Sequence, residues 1–491
     1  MNFKVVLLVL SRLAQLLGCA LLVPLFVSWG YGDEPGVVRA FAGVAALSLG
    51  GGSFLRFLLR RTEFQAIGPV EGFASVSLVW LGAAALGALP FWWTGALPSY
   101  TDAFFETMSG FTTTGASIIG LSTGTRIEDL ATGLLFWRSF THWLGGMGIV
   151  VLFVAVLPAL GAGGSQLFRA EVPSPTKDRI SPRISETAKI LWYIYSGLSL
   201  AEVLLLWIAG MPLFDAVCHT FGTMATGGFS TQTASIGAYG SLIQWIIIVF
   251  MVLAGMNFVL HFHLMRGRIG VVWGNPELRA YLGLILVSVV ALSIALWVAR
   301  PEGTASTGQT VRDSTFQVVS IVTTTGYATA DFGAWPKFCG FLLLSLMCVG
   351  ACAGSTGGGM KIFRLMVFVR FGLREIQRLL QPRAVIAIKM GGRSVADEIV
   401  DSITGFFVLW FLVLFAAMAI LQVLGIEFLT SVSAVVACLS NIGPGLGAVG
   451  PTGDYGFLPG AAKWLLSFCM LFGRLELYSV LVLLLPSTWL K

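Results

Sequence analysis

In the stretch FFETMSGFTTTGASIIG, residues 104–120, three threonines and a glycine stand where a membrane helix could have continued. Backbone carbonyls turned inward can replace the water shell of an ion. Glycine lets successive carbonyls turn the same way, because it reaches φ > 0 at no steric cost. Thr113, Thr114 and Gly115 are therefore candidates for ion coordination, with the hydroxyls as extra acceptors or struts.

The unit recurs. DAFFETMSGFTTTG (102–115) matches DSTFQVVSIVTTTG (313–326), each with thirteen steps from aspartate to glycine. DAVCHTFGTMATG (215–227) is one residue shorter, and a weaker copy, SAVVACLSNIG, ends at Gly443. The glycines at 115, 227, 326 and 443 are 112, 99 and 117 residues apart, a domain-sized spacing that argues against an incidental turn. Thr226, Thr324 and Thr325 extend the carbonyl set, and Gly227, Gly326 and Gly443 take the place of Gly115.

Positioning such loops requires a membrane scaffold. Of 491 residues 56% are hydrophobic and 11% charged, against roughly a quarter charged in soluble domains. The chain therefore reads as an all-α polytopic membrane protein with helix, re-entrant pore helix, filter loop and helix repeated four times around one pore. Two extra helices occupy residues 1–65, and the repeats span 66–165, 166–270, 271–392 and 393–491. Irregular backbone at membrane depth is tolerated only where it lines a cavity or is buried in protein. A pore helix entering from outside also aims its partly negative C-terminal end at the bilayer centre, which favours a cation.

Basic residues cluster in alternate loops: Arg56, Arg60 and Arg61; Arg169, Lys177, Arg179, Arg183 and Lys189; Arg266, Arg268 and Arg279; then 364–393. The positive-inside rule makes these loops and both termini cytoplasmic. The first apolar run reads as a retained helix rather than a cleaved signal. The net charge of +6 thus fits a membrane surface rather than nucleic acid. The seven cysteines form no CxxC pair and read as packed core residues.

At these residues the sequence resembles the Trk/Ktr/HKT superfamily of potassium transporters, most closely the bacterial TrkH/TrkG type. TTTGAS, HWLGGMGIVVL, MATGGFST, TTTGYATADF, GSTGGGMK, SNIGPGLG and FGRLE occur in the family's order. The resemblance implies a potassium-selective uptake pathway in the bacterial inner membrane, with potassium as substrate and as the one bound metal, at the filter. It places the second and fourth filter segments at Ala225, Thr226 and Gly227, and at Asn441, Ile442 and Gly443. It further implies a homodimer and control by a TrkA-type cytosolic ring that binds NAD(H) or ATP/ADP. The loops here are too short for a nucleotide domain, and no cofactor is expected in this chain.

A second cluster lies in VGACAGSTGGGMK, with Gly350, Gly354, Gly357, Gly358 and Gly359 inside what should be one spanning helix. Each glycine costs a helix interior about 0.5–1 kcal/mol relative to alanine, so the helix should break at mid-membrane. In the family this loop is an intramembrane gate, a likeness that extends through Ser355, Thr356 and Lys361. Arg474 is a charge within an apolar run and so a functional candidate. It either repels a cation beside the gate or anchors its repeat through an ion pair.

Among the lesser signals, Arg138 and His142 are expected to brace the pore helix through Asp102 or Glu106. Glu202, an acid in a spanning run, is the candidate for obligatory sodium or proton coupling, the alternative to a gated channel-like pore. A membrane-embedded enzyme would need a nucleophile beside a base, or a metal site. The four histidines form no such constellation.

Overall fold

The computed structural model describes residues 3–60, 68–156, 184–299 and 306–486. Arg61, Arg169, Lys177, Arg179 and Arg183 of the cytoplasmic charge pattern lie outside them. The first two helices, α1 (Phe3–Tyr31) and α2 (Pro35–Leu58), pack on each other. Small residues bring them close: a Cβ on Gly52 would stand 2.7 Å from the Ser11 carbonyl oxygen.

Four units follow. The first is α3 (Pro69–Trp93), α4 (Tyr100–Phe111) and α5 (Thr132–Val156). The second is α6 (Ile184–Ile208), α7 (Leu213–Met224) and the pair α8 (Ser241–Gly255) and α9 (Phe258–Met265). A short connecting helix, α10 (Ile269–Gly274), leads to the third: α11 (Pro276–Val298), α12 (Thr307–Val322), α13 (Lys337–Met347) and α14 (Ile362–Leu380). The fourth is α15 (Asp397–Val423), α16 (Phe428–Leu439), α17 (Gly460–Arg474) and α18 (Tyr478–Leu484). Between α14 and α15 an antiparallel ribbon, β1 (Lys389–Met390) and β2 (Arg393–Ser394), pairs Lys389 with Ser394.

Six described helices, α1, α2, α3, α6, α11 and α15, are long and apolar enough to span a membrane. The pore helices are not. Twelve residues, the length of α4, α7 and α16, rise only about 18 Å, well short of a hydrocarbon core of about 30 Å. They enter the protein instead: in α4 every residue from Ala103 to Phe111 is buried.

The units close into a ring through one repeated contact, in which the second helix of each repeat packs on the pore helix of the next. Thus α5 meets α7, α8 meets α12, α13 meets α16, and α17 returns to α4. The start of α5 is fixed by Asp33 in the α1–α2 link, whose carboxylate accepts the otherwise free N–H groups of Thr132 (3.0 Å) and Gly133 (2.7 Å).

The second helix of repeat three is broken between Met347 and Ile362, where the glycine cluster required it. Two further breaks had no such warning. In repeat two α8 and α9 meet at 103°, and Asn257 caps α9 by accepting the N–H of Val259. In repeat four α17 ends at Arg474, and the chain turns through Glu476 (φ 56°) and Leu477 (φ 54°) before α18.

Candidate functional site: a filter ring and the loop beneath it

Each pore helix ends at a capping residue, Thr112, Ala225, Thr323 or Ser440, and the same three-residue turn follows. Its first residue is left-handed without being glycine: Thr113 (φ 54°), Thr226 (56°), Thr324 (60°) and Asn441 (55°). Its third is a left-handed glycine: Gly115 (81°), Gly228 (81°), Gly326 (80°) and Gly443 (95°). A left-handed residue with a side chain costs roughly 1–2 kcal/mol. Four in equivalent positions mean that the surrounding packing enforces the turn.

This corrects the register of repeat two. The left-handed glycine is Gly228, not Gly227, and the turn is Thr226, Gly227, Gly228, with Ala225 one step earlier as the helix cap. Asp215 to Gly228 is thirteen steps, as in repeats one and three. The twelve-step count to Gly227 ends at the first of two adjacent glycines.

The four turns converge. A Cβ built on Gly115 would lie 2.0 Å from the Gly227 carbonyl oxygen, and one on Gly228 the same distance from that of Thr325. On Gly326 it would lie 1.8 Å from the oxygen of Ile442, and on Gly443 it would lie 2.7 Å from that of Thr114. Each glycine thus makes room for the middle carbonyl of the next segment, and the series closes on itself. All four glycines line one cavity of about 110 Å³, together with Arg138 and Tyr455.

Repeats one and three brace their turns with hydroxyl pairs. Thr112 Oγ1 lies 2.8 Å from Thr114 Oγ1, and Thr323 Oγ1 lies 2.8 Å from Thr325 Oγ1. Asn441 Nδ2 joins repeat four to repeat one by donating to Thr114 Oγ1 and to the Met470 carbonyl, both at 2.9 Å. Thr113 Oγ1 and Asn441 Oδ1 are buried and have no hydrogen-bond partner among the described residues.

The glycine loop of repeat three sits against this ring. Gly358 donates its N–H to Thr324 Oγ1 (2.7 Å), and a Cβ on Gly358 would stand 2.4 Å from the Ser440 carbonyl oxygen. Thr356 Oγ1 faces the carbonyls of Met224 (3.0 Å) and Ala254 (3.3 Å), which ties the loop to repeat two. The backbone freed by the breaks is paired between repeats: Cys352 N–H bonds Gly255 O (3.1 Å), and Phe258 N–H bonds Gly354 O (3.0 Å). The Lys361 ammonium donates back to the Gly357 carbonyl. Gly350 N–H bonds Met360 O (2.8 Å), so the two legs of the loop are joined where they enter the protein.

Arg474 touches the loop directly. Its guanidinium donates to the carbonyls of Thr356 (Nη1, 2.8 Å) and Gly145 (Nη2, 3.0 Å), linking the loop to α5 of repeat one. The acid near it in sequence, Glu476, pairs with Arg364 instead.

Of the expected braces, Arg138 pairs with Glu106 (2.7 Å) and also donates to Ser230 O (2.8 Å). Asp102 pairs with Lys463 of repeat four (2.6 Å), and His142 bonds backbone groups rather than either acid. Glu202 is fully buried in α6.

Sequence reasoning missed Glu277. This buried acid in the first turn of α11 accepts the N–H groups of Ala353 (2.7 Å) and Phe363 (3.1 Å) on one oxygen and so holds both ends of the loop. A carboxylate between a basic loop and a strongly apolar span, in GNPELRAYLGLIL, was the available signal.

The model of the family described as TrkH, cation transport protein, matches residues 40–490. The chain belongs to the TrkH family. It is 42% identical over the whole of both chains to the Trk system potassium uptake protein TrkH of Salmonella typhimurium, and equally so to that of Escherichia coli K12. The Trk system potassium uptake protein TrkG of Escherichia coli K12 is 34% identical over 97% of this chain and 96% of its own. The crystal structure of the potassium transporter TrkH from Vibrio parahaemolyticus superposes with a TM-score of 0.87 at 39% identity, covering all of both chains. This TrkH-family chain is a helical membrane transporter and not an enzyme.

Proposed function

We propose that the chain takes up potassium across the bacterial inner membrane through the four-turn ring, in a channel-like manner with both termini cytoplasmic. The observation that carries this reading is the closed series of glycine-to-carbonyl approaches, Gly115 to Gly227, Gly228 to Thr325, Gly326 to Ile442 and Gly443 to Thr114. It brings uncharged backbone oxygens of four segments together in one closed ring, the donor type that substitutes for a cation's water. The coordinating backbone is that of Thr113, Thr114, Gly115; Thr226, Gly227, Gly228; Thr324, Thr325, Gly326; and Asn441, Ile442, Gly443. The relatives are potassium uptake proteins, which agrees with potassium as the substrate.

Below the ring, the loop from Gly350 to Gly359 and Arg474 act as the gate. The loop fills the path under the Thr324 turn, and the Arg474 charge opposes a cation there: two unit charges about 5 Å apart repel by roughly 3 kcal/mol at an effective dielectric near 20. A homodimer controlled by a TrkA-type cytosolic ring completes the assembly, since the loops of this chain are too short to bind a nucleotide themselves.

The test is rubidium and sodium flux in proteoliposomes, with and without a TrkA-type partner and nucleotide. Deleting Gly357, Gly358 and Gly359 should raise partner-free flux and leave the rubidium over sodium ratio nearly intact. A response of the chain to NADH or ATP without any partner would contradict the regulatory part. Rubidium uptake that stops on removal of sodium or of a proton gradient would favour obligatory coupling.

A further inference from the structure

Repeat two lacks the hydroxyl pair that braces repeats one and three. The positions matching Thr112 and Thr114 are Ala225 and Gly227, neither of which has a side-chain oxygen. Its brace comes from the neighbouring repeat. A Cβ on Gly227 would lie 2.5–2.7 Å from three atoms of the His142 ring, which fills the space a threonine would need. The imidazole lies on the Phe229 ring, with centroids 4.2 Å apart, and is fully buried.

Both ring nitrogens are committed. Nε2 lies 3.1 Å from the backbone N–H of Phe229 and must accept it. Nδ1, 2.8 Å from the Gly110 carbonyl, must then donate. The ring is therefore the neutral Nδ1–H tautomer, assigned by its two backbone partners. One partner lies in the last turn of the first pore helix, the other immediately beyond Gly228, on the segment leaving the second filter turn.

We infer that His142 is a specificity-determining positioning residue, a strut between repeats that sets the Gly227 carbonyl against Gly115 in place of the missing hydroxyl pair. Glycine at 227 and histidine at 142 form one unit: the small residue admits the ring, and the ring holds the turn that the small residue cannot brace. His142 acts through the backbone and does not itself face the ion. The inference rests on the filter reading above.

The experiment uses full-length protein in proteoliposomes and measures the ratio of rubidium to sodium uptake, with size-exclusion profiles to establish folding. His142→Phe keeps an aromatic ring, somewhat larger than imidazole, and removes both hydrogen bonds; it should lower the ratio about tenfold, on the order of one lost positioning interaction. His142→Gln, whose amide can donate to Gly110 and accept from Phe229, should retain most of it. A residue that only fills space would give the reverse order, with Phe tolerated and Gln harmful, and that result overturns the inference. Should His142→Phe not fold, the pair Gly227→Ala and His142→Ala/Gly227→Ala decides. The added methyl should harm selectivity more when the ring is present than when it is gone, and equal effects in both backgrounds refute the coupling. Gly326→Ser is the control for the filter itself. If it lowers the ratio while folded His142→Phe does not, the strut fails and the filter stands; if neither lowers it, the filter reading fails first.

Discussion

The four-turn ring and the glycine loop of repeat three lie within hydrogen-bonding distance of each other and are built on opposite plans. The ring is made four times over, from backbone, with equivalent residues at φ 54–60° and then 80–95° in every repeat. The loop is made once, from repeat three, and charged side chains hold it: Lys361, Glu277 and, from repeat four, Arg474. On the proposed reading, encircling an ion calls for oxygens on every side, so the repeats must agree. A gate would need only one moving element, and its holding groups would be free to differ. Selectivity and opening should therefore separate by mutation.

The largest effect is expected at the ring. Gly326→Ser, or Gly115→Ser, puts a Cβ about 2 Å from the facing carbonyl oxygen and should reduce the rubidium over sodium ratio by on the order of tenfold or more. Unchanged sodium permeability in both folded variants would remove these turns from the selective path.

Next in size is Arg474→Ala, which removes a charge and two hydrogen bonds to carbonyls. Hydrogen bonds from charged groups are each worth about 1.5–3 kcal/mol, so partner-free flux should rise about tenfold or more while the ratio holds. If selectivity collapses instead and flux does not rise, Arg474 braces the ring, and the contrast between the two regions breaks down at this residue.

A smaller change is expected at Glu277. Glu277→Ala leaves the N–H groups of Ala353 and Phe363 without their acceptor, at roughly 1–3 kcal/mol each. Partner-free flux should rise severalfold, and Glu277→Gln, which keeps an acceptor oxygen, should restore most of the closure. Equal flux from the Ala and Gln variants would show that the carboxylate works by charge rather than as a clamp.

The smallest effect is predicted at Glu202, buried in α6. Glu202→Gln should leave rubidium uptake within about twofold at every imposed proton or sodium gradient, as passive conduction requires. Loss of gradient-driven accumulation in this variant alone would make the acid a coupling site.

Much of the ring was legible because its code is local. Thr-Thr-Thr-Gly follows a pore-helix end in both of its copies, and three aspartates thirteen residues before a left-handed glycine mark the same pore helix in repeats one to three. Repeat two is ambiguous in sequence because the two adjacent glycines in MATGG are equally permissive, and local chemistry does not say which one turns left. Their neighbours do: Gly228 faces Thr325 O, while Gly227 is covered by His142. The breaks in repeats two and four escaped for a related reason, since neither Met256–Asn257 nor Glu476–Leu477 carries a glycine cluster.

What the sequence determined by itself is whatever depends on one stretch of chain: the apolar spans, the short pore helices, the turns after them and the glycine-rich interruption of repeat three. Hydropathy and backbone freedom are properties of the residues concerned. Which groups complete each break was decided only by the tertiary structure. Inside a membrane a backbone group freed from its helix must find another partner, and that partner arrives from wherever the fold brings it. Cys352 finds Gly255, Gly358 finds Thr324, and Arg474 reaches Gly145 across 329 residues of sequence. No spacing rule within one segment contains those distances, because the closing of four repeats around a common axis creates them.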